Sequence, residues 1–149
     1  MLKKLKDKSS EHYALLGLAQ AFSIQFVTGM KAGIISEEAN GNANKALELD
    51  NKNIRAYYVL GSNDFYTPEE FGGGKEAEKY LLKAIEYPEN SSGLACMPSW
   101  GKDYTYQMLI ELYQKRGNND LAKRYANEGV KLFPENEQIK KEQEKLEKL

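Results

Sequence analysis

Histidine and cysteine are almost missing from this chain of 149 residues, which carries only His12 and Cys96. A lone cysteine forms no internal disulfide and leaves the redox compartment unread. His12 has no cysteine or carboxylate at a recognised motif spacing, which argues against His-based catalysis and zinc ligation and leaves a surface or helix-end role. Proline is scarce too: the four fall near expected element boundaries. Charge of one sign is lacking, since 21 Lys and Arg face 22 Asp and Glu for a formal net charge of -1. Nucleic acids and anionic membrane surfaces need concentrated positive charge, so neither is an expected partner.

Long apolar runs are missing as well. The stretch from His12 to Met30 has no Asp, Glu, Lys or Arg, but Gln20, Ser23, Gln25 and Thr28 sit inside it. A buried long helix suits it better than a membrane span. The start Met1-Leu2-Lys3-Lys4 makes a poor secretion signal, because Asp7 and Glu11 interrupt the basic region and the apolar part is short. Residues 2–9 read instead as the tail of an earlier helix, so the chain is expected to be the C-terminal part of a longer one. Its compartment then depends on that missing part: cytoplasmic if the chain is complete, periplasmic if an upstream signal was removed. The length suits one domain over residues 1–149, burying about two thirds of its unfolded surface.

What is present is helical periodicity. Tyr106, Leu109, Ile110 and Tyr113 recur at three- and four-residue steps, the spacing of one helix face. Gly117 ends that pattern and Asn118 to Asp120 supply an N-cap. Leu121, Ala122, Tyr125, Gly129 and Leu132 then form a second stripe up to Pro134. The segment from Tyr104 to Pro134 is thus predicted to be a helical hairpin.

Tyr106, Leu109, Tyr113, Gly117, Ala122, Gly129 and Pro134 stand where the tetratricopeptide repeat, of about 34 residues, has its aromatic, leucine, tyrosine, turn glycine, small residues and proline. The segment resembles one such repeat, with Ile110 and Gly129 replacing its usual small residue and alanine. Tyr13, Leu16 and Gly17 repeat the opening signature, as do Tyr57, Leu60 and Gly61. The resemblance implies an all-α, right-handed stack of three helical pairs, capped by a charged helix over residues 135–149 with Ile139, Leu146 and Leu149 inward.

Along the chain, Ser9 or Ser10 is the expected N-cap of a first helix whose apolar series is Leu15, Leu16, Ala19, Phe22, Phe26, Val27 and Met30. It is predicted to end at Gly29 to Gly33, with a second helix from about Ser36 that turns Ala39, Ala43, Ala46, Leu47 and Leu49 inward. In the middle pair a helix opening at Arg55 meets a partner over residues 75–87 carrying Ala77, Leu81 and Ala84. Between them Thr67-Pro68-Glu69-Glu70-Phe71-Gly72-Gly73-Gly74 is an insertion, with Phe71 expected to fold beneath it. This insertion resembles a turn of some bacterial repeat proteins, including relatives of the periplasmic subunits of tripartite transport systems. The loop from Pro88 to Lys102 holds Leu94, Cys96, Met97 and Trp100, too apolar for a solvated linker, and is expected to pack on the helices.

No catalytic set emerges, and no cofactor is expected. Cys96 reads as a small buried hydrophobe. Gly72-Gly73-Gly74-Lys75 lacks the spacing and the Ser or Thr of a nucleotide loop and reads as a turn. Asp64 falls where the repeat places an inner tyrosine. An unpaired buried carboxylate is costly, so Asp64 is expected to be partly solvated or to accept backbone N–H bonds from the following turn.

One helix face carries the functional expectation. Arg55, Tyr58, Ser62, Phe65 and Tyr66 lie together at helical steps, opposite Tyr57, Leu60, Gly61 and Asp64. By the resemblance, this side of each first helix lines a concave groove. The same register gives Tyr104, Gln107, Glu111 and Gln114 in the following pair, and Ala14, Leu18, Ala21 and Phe22 in the preceding one. The expectation is a non-catalytic module that binds a protein or peptide segment there, anchored by aromatics and Arg55. The alternative is an extracytoplasmic accessory that binds a small apolar ligand under the residue 94–100 loop. A third is self-association through exposed aromatics.

Overall fold

The computed structural model describes residues 2–89 and 99–149. Among these the chain is all-helical, with no strand. The α-helices are α1 (Ser10–Ser23), α2 (Met30–Leu49), α3 (Ile54–Tyr66), α4 (Ala77–Glu86), α5 (Lys102–Lys115), α6 (Asn119–Leu132) and α7 (Glu137–Glu147). They fall into two compact units, with α1 to α4 before Ser99 and α5 to α7 after it. The expected packing of Leu94, Cys96 and Met97 lies outside the described residues.

Polar N-cap side chains start four of these helices. Ser9 caps α1 by accepting from the His12 amide, and His12 Nδ1 accepts the Ser9 amide in return at 3.1 Å. This is a capping box with histidine in the role glutamate usually plays, and it places His12 at a helix end. Asn53 accepts from the Arg55 and Ala56 amides at the start of α3, while Asn118 and Asn136 cap α6 and α7. Gly117 closes α5 with φ of 72°, a conformation that a β-carbon disfavours.

In the first unit α1 and α2 are antiparallel. Ser10 Oγ donates to the Ala46 carbonyl at 2.8 Å, and towards the other end the Gln20 amide donates to the Glu38 carboxylate. Helix α3 runs parallel to α1, since Asn53 Nδ2 donates to Ser10 Oγ at 2.7 Å while Asn63 Nδ2, ten residues on, donates to the Ser36 carbonyl at 3.1 Å. Small residues allow this closeness. Ala39, Ala43 and Ala46 are fully buried, and a Cβ on Gly17 would stand 3.0 Å from the Ala39 carbonyl oxygen and 3.3 Å from Val59.

Three expectations are corrected. Leu49, expected inward, is exposed at the last position of α2. Helix α1 does not run on to Met30: it stops at Ser23, continues as a 3-10 turn over Ile24–Phe26, and α2 begins already at Met30, after Gly29 at φ 61°. Phe26 and Met30, expected inside, are therefore exposed. In the second unit α7 buries Ile139 and Leu146 fully but leaves Leu149 exposed, because the helix ends at Glu147 before another turn can carry Leu149 round.

The second unit is held by its glycine and tyrosines. A Cβ on Gly129 would stand 3.0 Å from Ile139 Cγ2 and 3.5 Å from Tyr106 Cβ. Tyr113 and Tyr125 stack with ring centroids 5.5 Å apart. The Tyr106 hydroxyl donates to Glu128 Oε1 at 2.6 Å, and burial together with this carboxylate acceptor holds the phenol well above its ordinary pKa.

Candidate interaction surfaces

Helix α3 carries five of the residues expected to line a groove, and their environments diverge. Arg55 is 1% exposed. Its Nη1 donates to Glu11 Oε1 at 3.1 Å, and the same oxygen accepts from Asn53 Nδ2 at 3.3 Å. Burial pushes the Glu11 carboxyl above its usual pKa, against the pull of the Arg55 guanidinium. Ser62 and Phe65 are also buried. Ser62 Oγ donates back to the Val59 carbonyl at 3.1 Å, and the Phe65 ring meets Tyr66 edge-on with centroids 5.0 Å apart. Tyr58 is half-buried and Tyr66 exposed.

On α1 the expected Ala14 is buried, Leu18 and Ala21 are half-buried and Phe22 is exposed, and four more lie on α5 of the second unit. Tyr104 and Glu111 are exposed, while Gln107 is half-buried and its Nε2 donates to Asn136 Oδ1 at 3.3 Å. Gln114, in the same register, donates to Glu142 Oε2 at 3.2 Å. Exposed or half-exposed positions are thus Leu18, Ala21 and Phe22 on α1, Tyr58 and Tyr66 on α3, and Tyr104, Gln107, Glu111 and Gln114 on α5.

The insertion after α3 is a structural turn. Asp64 Oδ2 accepts from the amides of Glu76 at 2.9 Å and Ala77 at 2.8 Å, and the Asp64 carbonyl accepts from Gly74 at 2.9 Å. The donors that Asp64 was expected to need are thus supplied just beyond the glycines. The two amides that open α4 are occupied by this carboxylate, which suits a turn and not a phosphate cradle. A Cβ on Gly73 would fall 1.9 Å from the Thr67 carbonyl oxygen, so only glycine fits there. Phe71 does not fold beneath the turn: it sits in the 3-10 segment Glu69–Phe71 and is exposed.

Two features escape a reading by periodicity. An open cleft of about 440 Å³ lies between the N-terminal segment, α1 and α2, lined by Lys3, Lys8, Tyr13, Gln20, Glu38 and Lys45 among others. Lys8 and Lys45 place their ammonium groups 5.7 and 5.8 Å from the Tyr13 ring centroid, contacts that sequence separation hides. The other is apolar. Phe22, Phe26 and Met30 are 66%, 74% and 86% exposed around the α1–α2 turn, and the two phenyl rings meet at 6.0 Å. The long uncharged stretch ending at Met30 was its sequence signal.

Among the described residues no His, Cys, Asp and Glu side chains gather as a metal site, and no helix is long and apolar enough to cross a membrane. No family model matches the sequence, and no curated protein matches it.

Proposed function

We propose that this chain is a tetratricopeptide-like interaction module that binds a segment of a partner protein and catalyses no reaction. The observation that carries the reading is the division of labour along α3. Arg55, Ser62 and Phe65 are buried and fix the helix, while Tyr58 and Tyr66 keep surface to offer. Helix α5 repeats the arrangement, with Tyr106, Leu109 and Ile110 inside and Tyr104 and Glu111 outside. Tyrosine on a rigid helix suits partner binding, because it contributes large area with few rotors and a hydroxyl for orientation. Arg55 has no part as an exposed anchor in this reading.

The test is affinity capture from the native host with two baits, the wild-type chain and a Tyr58→Ala, Tyr66→Ala, Tyr104→Ala variant of unchanged helical circular dichroism. A protein retained by the first and depleted at least about tenfold on the second is expected, since such aromatic anchors dominate binding. Recovery of identical proteins in identical amounts on both baits would overturn the proposal.

A further inference from the structure

The open cleft of about 440 Å³ between the N-terminal segment, α1 and α2 gathers three lysines round a single tyrosine. We infer that it binds a small organic phosphate monoester. The dianionic head lies between the Lys8 and Lys45 ammonium groups, and the apolar body lies against Tyr13 and Leu16.

Three observations select this ligand. The first is size and construction. Small-molecule sites have volumes of about 300–1,000 Å³, and this cleft falls in that range. Its floor is built from bonded side chains. Gln20 is only 8% exposed, its amide donates to the Glu38 carboxylate, and its side-chain oxygen accepts from Asn42 Nδ2 at 2.6 Å. Asn42 Nδ2 also donates to the Glu38 carbonyl at 3.0 Å. Both Asn42 amide protons are thereby used, and the floor is held in one arrangement.

The second is charge. Lys3 Nζ stands 3.5 Å from Glu38 Oε2, so the carboxylate that lines the cleft already has its cation. Lys8 and Lys45 remain. Lys8 Nζ donates to the Leu5 carbonyl at 2.7 Å and the Lys3 carbonyl at 3.3 Å, which leaves the third ammonium proton for a ligand. Among the described residues Lys45 makes no hydrogen bond or ion pair, so all its protons are available. The two ammonium groups lie 5.7 and 5.8 Å from the centroid of the same Tyr13 ring, where one dianion can engage both. A phosphate monoester carries a charge of about −1.5 to −2 at pH 7 and balances this pair. No arginine lines the cleft. Ammonium groups bind phosphate as point charges, whereas the planar fork that matches a carboxylate belongs to arginine.

The third is the wall. Half-buried Tyr13 and, beside it, Leu16 line the same cleft. A cation resting on an exposed ring is weakly held, so both lysines can move onto an anion and leave the ring to an apolar group. None of these residues belongs to the surface proposed for partner capture, so the two readings fail independently.

Isothermal titration of the full chain with phenyl phosphate tests this. Saturable binding with a dissociation constant of about 1 mM or below is expected, an affinity within reach of a ligand of that size. Inorganic phosphate, phenol and benzoate, which each lack the dianion or the ring, should bind at least about tenfold more weakly. Lys45→Gln should weaken phenyl phosphate about tenfold, as loss of a hydrogen bond to a charged group does, while circular dichroism stays helical. Lys141→Gln, at an exposed position on α7, should leave binding unchanged. No saturation up to about 10 mM, inorganic phosphate or benzoate binding as tightly as phenyl phosphate, or equal effects of Lys45→Gln and Lys141→Gln would overturn the inference.

Discussion

Arg55 on α3 reaches back to Glu11 on the first turn of α1, with 3.1 Å between Nη1 and Oε1 and only 1% of the arginine side chain exposed. A cation placed by periodicity on a binding face is therefore part of the tie between two helices. Breaking one side of such a pair leaves a buried charge uncompensated. Arg55→Ala should cost about 3 kcal/mol in urea unfolding, and Arg55→Met combined with Glu11→Gln should recover at least half of that loss. Equal destabilisation by the single and double variants would contradict the tie.

The same pair makes stability depend on pH in a particular direction. Burial raises the folded pKa of Glu11 above 4.5 despite Arg55. The folded state then holds a proton that the unfolded state has already released. Glu11's contribution is fully present below the unfolded pKa and falls as pH rises through the folded one. Unfolding free energies measured from about pH 4 to 7 should show this decline in the wild type and lack it in Glu11→Gln. A wild-type contribution that grows with pH over that window would contradict the assignment.

Asp64 closes the insertion by accepting the Glu76 and Ala77 amides. It works as an N-cap supplied from a distant residue. Asp64→Ala should therefore cost about 1–2 kcal/mol, as loss of a local cap does, and Asp64→Asn, which keeps an acceptor oxygen, less. Hydrogen exchange should show the amides of residues 76 and 77 losing protection in Asp64→Ala while those of α1 keep theirs.

Glycines within helices separate close packing from idle surface. A Cβ on Gly61 would fall 2.8 Å from Leu81 Cγ, whereas one on Gly41 meets nothing within 4 Å. Leu81 is fully buried and cannot yield cheaply. Gly61→Ala should destabilise by about 1–3 kcal/mol, and Gly41→Ala should stabilise by about 0.5–1 kcal/mol. Thermal unfolding of the two variants should shift in opposite directions.

Much of the fold was legible. The hairpin from Tyr104 to Pro134 appears as α5 and α6, closed by Gly117, because period, stop signal and cap coincide there. That Asp64 would be partly solvated or accept backbone N–H bonds followed from the cost of an unpaired carboxylate alone. The end of α1 was less legible. Phe22, Phe26 and Met30 keep helical spacing across a real break, and spacing does not report whether anything lies opposite to bury them. The candidate site was legible only as a helix face: the sequence put Arg55 and Tyr66 on the same side of α3, but one is sealed by Glu11 and the other reaches solvent.

By itself, then, the sequence determined the all-helical class, a serine cap at Ser9 or Ser10, a cap within Asn118 to Asp120, and the small residues that let helices approach, since each is set by local geometry or by the chemistry of a single side chain. Tertiary structure alone decided which exposed-face residues were consumed internally and which apolar residues stayed outside. Glu11 and Arg55 lie far apart in the chain, and what a side chain can do depends on what packing brings against it.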